Sequence, residues 1–168
     1  MEKDIKQIII VRKDLIELSD CELDLLSKDR RDQYYKELNS VGKMGKGKLA
    51  AQVAHASLAP ILMYMRNNIN YKDYTPPKNN YSLELNLEKN SDLTLWLEGS
   101  FTKIVLYVKS EEKLLSINNE LNKIGILNEV IEDKGLTSFK KPTITCLGII
   151  PIEYQKIKDI TKKLRLLN

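Results

Sequence analysis

The order of apolar and helical patterns predicts an α/β protein, a three-layer sandwich in which a small mixed four-stranded sheet is covered by helices on both faces. Three observations carry this. A β-branched run, "QIIIVR" (7–12), lies near the N-terminus. Three more strand-like runs follow in the second half, "TKIVLYVK" (102–109), "LNEVIED" (127–133) and "TITCLGII" (143–150). Segments of helical period separate several of them, so the chain reads βα, βα, β, βα, with inserts after the first strand and the first helix.

Each element has a local cause. The run at 7–12 is short and β-branched, the mark of a buried strand. Residues 16–42 are densely charged; Ser19 and Glu22 stand at capping-box spacing, with Leu23, Leu26 and Tyr34 at roughly helical intervals, which predicts a surface helix. The next helix begins within "GKGK" and continues through alanines that let it lie close on the sheet. From Arg66 to about Lys89 the chain is rich in Asn, Tyr, Lys and Pro, and Pro76–Pro77 predict an extended surface loop. Ser110 ahead of Glu111 and Glu112 is an N-cap with acidic residues at the positive helix end. Leu114, Ile117, Leu121 and Ile124 continue that helix until Gly125 stops it. Pro151 is expected to open a last helix with Ile157, Ile160 and Leu164 on its inner face.

The 168 residues suit one domain, expected over 1–168 with insertions at about 16–42 and 67–92. A hydrophobic share of 42% with 30% charged residues argues against whole-chain disorder. The net charge of +4 is compatible with a phosphate-bearing partner without requiring one. Cys21 and Cys146 lack CxxC spacing, so neither a disulfide framework nor a zinc site is indicated. "MEKDIKQ" has no apolar core of a signal peptide, and the apolar stretch Leu58–Met65 is too short to span a bilayer. A cytoplasmic protein away from the membrane is the expectation.

The stretch "GKMGKGKLAAQVAHA" (42–56) satisfies G-x-x-x-x-G-K, the pattern of a nucleotide-phosphate loop. Leu49 stands where a magnesium-holding hydroxyl belongs, and a charged segment rather than a strand precedes the loop, so the NTPase reading fails. What survives is a lysine-rich loop at a helix N-terminus, suited to a phosphate or a developing oxyanion. Lys48, Gln52 and His55 share one helical stripe, and Leu49, Val53 and Ala56 form the adjacent apolar one. Taken alone this is also the pattern of an ordinary amphipathic helix. Asp133-Lys134-Gly135 likewise reads as a strand ending in a turn whose glycine accepts positive φ, and Cys146 as an inert core thiol.

Several blocks together resemble one family. "VRKDL" (11–15), "MGKGKLAAQVAHA", "WLEGSFTKIVLYVKSEEKLLSI", "NEVIEDKGLTSF", "TITCLGIIP" and "DITKKLRLL" are similar, in order, to the signature blocks of the type II peptidyl-tRNA hydrolases. The resemblance implies an enzyme that cleaves the ester joining a nascent peptide to the 3′ end of tRNA, without a metal or other cofactor, usually as a dimer. It assigns catalytic roles to Lys46, Asp133, Thr137 and Thr145, with Asp133 orienting or activating water and Lys46 stabilising the oxyanion or terminal phosphate. The threonine hydroxyls are expected to hold water or the ester carbonyl. Arg12, Lys48, Gln52, His55, Lys134, Lys140 and Lys141 are expected to grip the acceptor end of the tRNA. Lys134, Lys140-Lys141 and Ile150 depart from the family pattern, and the three lysines add charge at the expected site mouth. The inserts are candidate contacts for an additional partner. The competing reading is a non-enzymatic RNA- or protein-binding adaptor built on the same fold.

Overall fold

The computed structural model describes residues 3–68 and 86–167. The first strand, β1 (Ile5–Arg12), is central. The insert that follows it forms two helices, α1 (Asp20–Asp24) and α2 (Lys28–Ser40), before the long helix α3 (Lys46–Asn68). Then come α4 (Asp92–Glu98), β2 (Lys103–Val108), α5 (Glu111–Lys123), β3 (Asn128–Asp133) and β4 (Thr143–Ile149). The chain ends with β5 (Ile152–Glu153), α6 (Lys158–Thr161) and β6 (Arg165–Leu166).

The sheet runs β3-β4-β1-β2-β6, with β5 pairing one end of β1. β1 and β2 are parallel, and the other pairings are antiparallel, so the sheet is mixed. It has six strands rather than the expected four; β5 and β6 are two residues each, too short to leave a periodic signature.

Strand alternation sorts the core into two layers. Ile8, Ile10, Leu147 and Ile149 face α5 and the C-terminal segment, meeting Leu114, Ile117, Leu121 and Ile157. Ile9, Val11 and Cys146 face α3, meeting Ala56, Leu49 and Val53. The expected apolar stripe of α3 therefore lies on the sheet. Its approach is close: a Cβ on Gly148 would stand 1.8 Å from the Ala56 carbonyl oxygen.

Ser110 caps α5 as expected, accepting from the Lys113 N–H at 3.3 Å, and Gly125 follows the helix at φ +71°. Ile124 lies beyond the last turn and is exposed rather than part of the buried stripe. Ser19 and Glu22 form the expected capping box, yet the insert breaks into two helices at Leu25–Ser27 instead of one. Polar anchors fix it: the Tyr34 hydroxyl accepts from the Leu18 N–H at 3.2 Å, and buried Lys43 donates to the Asp14 carbonyl at 2.6 Å and the Glu37 carboxylate at 3.0 Å.

Pro151 precedes β5 rather than a helix. The chain first pairs Ile152 with Lys6, and α6 is only four residues long, though Ile157, Ile160 and Leu164 do pack inward. The expected surface loop falls largely on 69–85, outside the described residues; its start belongs to the last turn of α3. Among the described residues, no helix is long and apolar enough to cross a membrane.

Candidate active site

The segment leading into α3 is held by backbone on both sides. The Met44 N–H donates to Leu15 and the Glu17 N–H to Met44, while Gly42 bridges Phe139 and the Lys140 N–H donates to Val41. Gly42 sits at φ +94°, with no room for a side chain against the Ser138 carbonyl. This is a connector paired by backbone to two loops. It fixes where the first turns of α3 stand relative to the turn after β3.

That turn carries Asp133, the last residue of β3 and 9% exposed. Its Oδ1 accepts from the Gly135 N–H at 2.9 Å. Gly135 has φ +76°, and a Cβ there would stand 2.5 Å from the Lys141 carbonyl carbon, so the turn demands glycine. The other oxygen, Oδ2, accepts from Gln52 Nε2 at 3.0 Å and is ion-paired with Lys48 Nζ. Lys48 Nζ also donates to Thr137 Oγ1 at 3.2 Å.

A bulge completes the cluster. Ile131 pairs with Cys146 and Glu132 with Ile144, leaving Thr145 unopposed between them. The extra residue turns Thr145 to the same face as Cys146, toward α3. There its fully buried hydroxyl donates to Gln52 Oε1 at 2.6 Å, with the Ile131 carbonyl at 3.2 Å. The Gln52 amide is thereby oriented, its oxygen toward Thr145 and its nitrogen toward Asp133. The chain of contacts Thr145–Gln52–Asp133–Lys48–Thr137 is continuous from core to solvent.

Burial alone would raise the Asp133 pKa. The Lys48 hydrogen bond, the Gly135 N–H and the charges of Lys48 and His55 outweigh it, leaving the carboxyl below its ordinary value. Asp133 is therefore an anion at neutral pH, paired with Lys48. Burial pushes the neighbouring Cys146 thiol up to about 12, so it takes no part as a nucleophile.

A groove of about 640 Å³ opens beside the cluster, with Lys48, Gln52, His55, Asp133, Lys134 and Thr137 in its wall. The predicted stripe Lys48–Gln52–His55 thus faces one cavity. Lys46 lies elsewhere: it is exposed at the first position of α3 and has no side-chain hydrogen bond or ion pair among the described residues. The lysine that reaches Asp133 is the second of "KGK", Lys48. Arg12 is also apart, on the α5 side of the sheet. It pairs with Asp14 at 2.7 Å and Glu111 at 2.5 Å and donates to the Ile144 carbonyl at 3.0 Å. Lys140 and Lys141 are exposed on the loop after Gly135 and do not line the groove. Among the described residues, no three His, Cys, Asp or Glu side chains converge as metal ligands.

An ammonium, a carboxylate, an oriented amide and hydroxyls gathered at the mouth of a groove define a class, an α/β protein equipped to polarise a carbonyl and hold a water against it. Comparison with known proteins narrows this. The family model described as peptidyl-tRNA hydrolase PTH2 matches residues 5–167. Relatives named peptidyl-tRNA hydrolase include that of Thermoplasma volcanium, 33% identical over 124 residues covering 74% of this chain and 88% of the relative. That of Sulfolobus acidocaldarius is 35% identical over 126 residues, 74% of this chain and 90% of its own. That of Nanoarchaeum equitans is 37% identical over 123 residues, 73% and 89% respectively. The chain belongs to the peptidyl-tRNA hydrolase PTH2 family.

Proposed function

We propose that the Lys48–Asp133 cluster is where this chain hydrolyses the ester of peptidyl-tRNA, releasing tRNA and free peptide. The observation that carries the assignment is the single network joining Lys48, Gln52, Asp133, Thr137 and Thr145 at the mouth of one groove.

The geometry supports the following roles. A carboxylate held below its ordinary pKa is a weak base, so Asp133 acts mainly by orienting the attacking water and carrying its proton briefly. Water adds to the ester carbonyl carbon as its proton passes to Asp133. The Lys48 ammonium, with the Thr137 hydroxyl beside it, stabilises the oxyanion that forms. Collapse of the tetrahedral species breaks the bond to the ribose oxygen, which takes the proton back from Asp133. Thr145 is fully buried and acts through Gln52, as a positioning residue, rather than on the substrate.

The exposed Lys46, Lys134, Lys140 and Lys141 serve the approach of the tRNA acceptor end, and their charge supports phosphate binding. Arg12, already engaged by two carboxylates, serves the sheet rather than the RNA. The proposal extends to one domain interrupted at 16–42 and 67–92, acting in the cytoplasm as a homodimer, which sedimentation tests directly.

The test of the activity is hydrolysis of an N-blocked aminoacyl-tRNA by the purified protein, beside Lys48→Ala and Asp133→Ala and with an EDTA arm. Turnover that resists EDTA and collapses in both variants is expected. A folded wild type that binds tRNA without turnover would make the chain an adaptor instead.

A further inference from the structure

The groove does not end at the catalytic cluster. On one wall, α3 continues the stripe of Lys48, Gln52 and His55 into Leu58, Ala59 and Leu62. The other wall is β3 itself, every residue from Glu129 to Asp133. β3 is the terminal strand of the sheet, bonded to β4 on one side and to no strand on the other among the described residues. An edge strand presents a row of backbone donors and acceptors ready to pair with an extended chain.

The chemistry of the groove changes along its length. Near Asp133 it holds Lys48, His55 and Lys134. Toward the start of β3 the wall holds Leu58, 52% exposed, and Leu62, 36% exposed, and the ionisable side chain there is the carboxylate of Glu129. Such a surface repels phosphates and suits a peptide.

We propose that this groove is the channel for the nascent peptide, which adds to the free edge of β3 as a parallel strand and so delivers its C-terminal ester to Asp133. The direction is fixed because Asp133 is the last residue of β3 and the ester is the last unit of the peptide. From Lys48 to Leu62, α3 runs about 21 Å at its helical rise. An extended chain covers that length in about six residues. Main-chain pairing reads a peptide without regard to its sequence, as a hydrolase of many different nascent chains requires. Leu58 and Leu62 add a preference for apolar side chains.

The inference rests on the hydrolase reading, and the experiment separates the two. Single-turnover kcat/KM is measured for tRNAs carrying one, three, six and nine residues, together with a backbone N-methyl scan of the six-residue substrate and the variant Leu62→Glu. We expect kcat/KM to rise about tenfold up to about six residues and then level off. N-methylation costs rate at alternate positions only, and Leu62→Glu lowers the six-residue to one-residue ratio about tenfold, a ratio that cancels any damage common to both substrates. A flat length dependence, or an N-methyl effect without period two, overturns the proposal while leaving one-residue turnover and the hydrolase reading intact. If Leu62→Glu leaves that ratio unchanged and weakens inhibition by deacylated tRNA, the groove holds RNA and the proposal is wrong. Edge pairing with a second copy, seen as six-residue turnover that falls as the dimer forms, contradicts it too. Absence of one-residue turnover in the folded protein removes the hydrolase reading and this inference with it.

Discussion

Replacing Thr145 with Val tests whether the buried half of the network sets the active carboxylate. Valine nearly copies the shape of threonine and deletes the hydroxyl that donates to Gln52 Oε1 at 2.6 Å. Gln52 is itself buried, 3% exposed, so its oxygen is left without that donor in a place water does not readily reach. Leaving such a group unsatisfied costs about 1–3 kcal/mol of stability. The same change loosens the amide that donates to Asp133 at 3.0 Å. A loss of about 1.4 kcal/mol in transition-state stabilisation is about tenfold in kcat, with KM expected to change little because Thr145 is fully buried. Urea unfolding and single-turnover hydrolysis read the two effects separately. Thr145→Ser, which restores the hydroxyl, is expected to recover most of both. If Val is as stable and as active as the wild type, or Ser is as damaged as Val, the network does not position Asp133 and the methyl packing explains the residue.

Other expectations follow from different parts of the structure. Gly148→Ala pushes a Cβ against the Ala56 carbonyl, where α3 packs closest to β4, and is expected to cost at least about 1–3 kcal/mol in denaturant unfolding and to lower turnover by shifting Lys48 and Gln52. Asp92 accepts from the Glu153 N–H at 3.0 Å and from Lys156 at 2.6 Å. Burial would raise its pKa, but the Lys156 bond and charge, the Glu153 N–H and Lys3 hold it below its ordinary 3.8. Its stabilisation is therefore present above 3.8 and lost as pH falls through the lower folded-state value, so the deficit of Asp92→Asn at pH 7 is expected to shrink only in that acid range, read by unfolding at several pH values. The double variant Lys140→Ala/Lys141→Ala is expected to make the salt dependence of tRNA binding shallower by about 1–2 in log–log slope, measured by filter binding, with kcat preserved.

Much of this was legible in the chain because its signals are local. The four long strands, the Ser110 cap, the Gly125 stop and the two stripes of α3 all follow from periodicity and capping. The Asp133–Gly135 turn needed only the rule that glycine accepts positive φ. What could not be read depends on long-range pairing. β5 and β6 exist only because β1 and β2 offer edges to them. The bulge that turns Thr145 toward α3 is a mismatch between two strands, invisible in either alone. α4 is short, and its core residue Trp96 is placed by an indole N–H bond to the Thr102 carbonyl at 2.8 Å. Which lysine of "KGK" reaches Asp133 depends on rotation about the helix axis. Lys46 and Lys48 are two positions apart, about 200° around the helix, so only one faces the groove. The resemblance gave the catalytic role to Lys46, while helical periodicity put Lys48 on the stripe with Gln52 and His55; Arg12 was separated from the cluster by the alternation that put Val11 toward α3.

The central claim is that Lys48, paired with Asp133, is the cation of the chemistry, while Lys46 serves only the approach of the RNA. The most direct measurement is kcat/KM for hydrolysis of an N-blocked aminoacyl-tRNA by Lys48→Ala and Lys46→Ala side by side, with circular dichroism confirming that both are folded. Loss of an oxyanion-stabilising group predicts a fall of about 10²–10³ in kcat for Lys48→Ala. Lys46→Ala is expected to change kcat little and to raise KM a few-fold at most. A collapse of kcat in Lys46→Ala with near-normal turnover in Lys48→Ala would contradict the account and move the chemistry away from the Asp133 cluster.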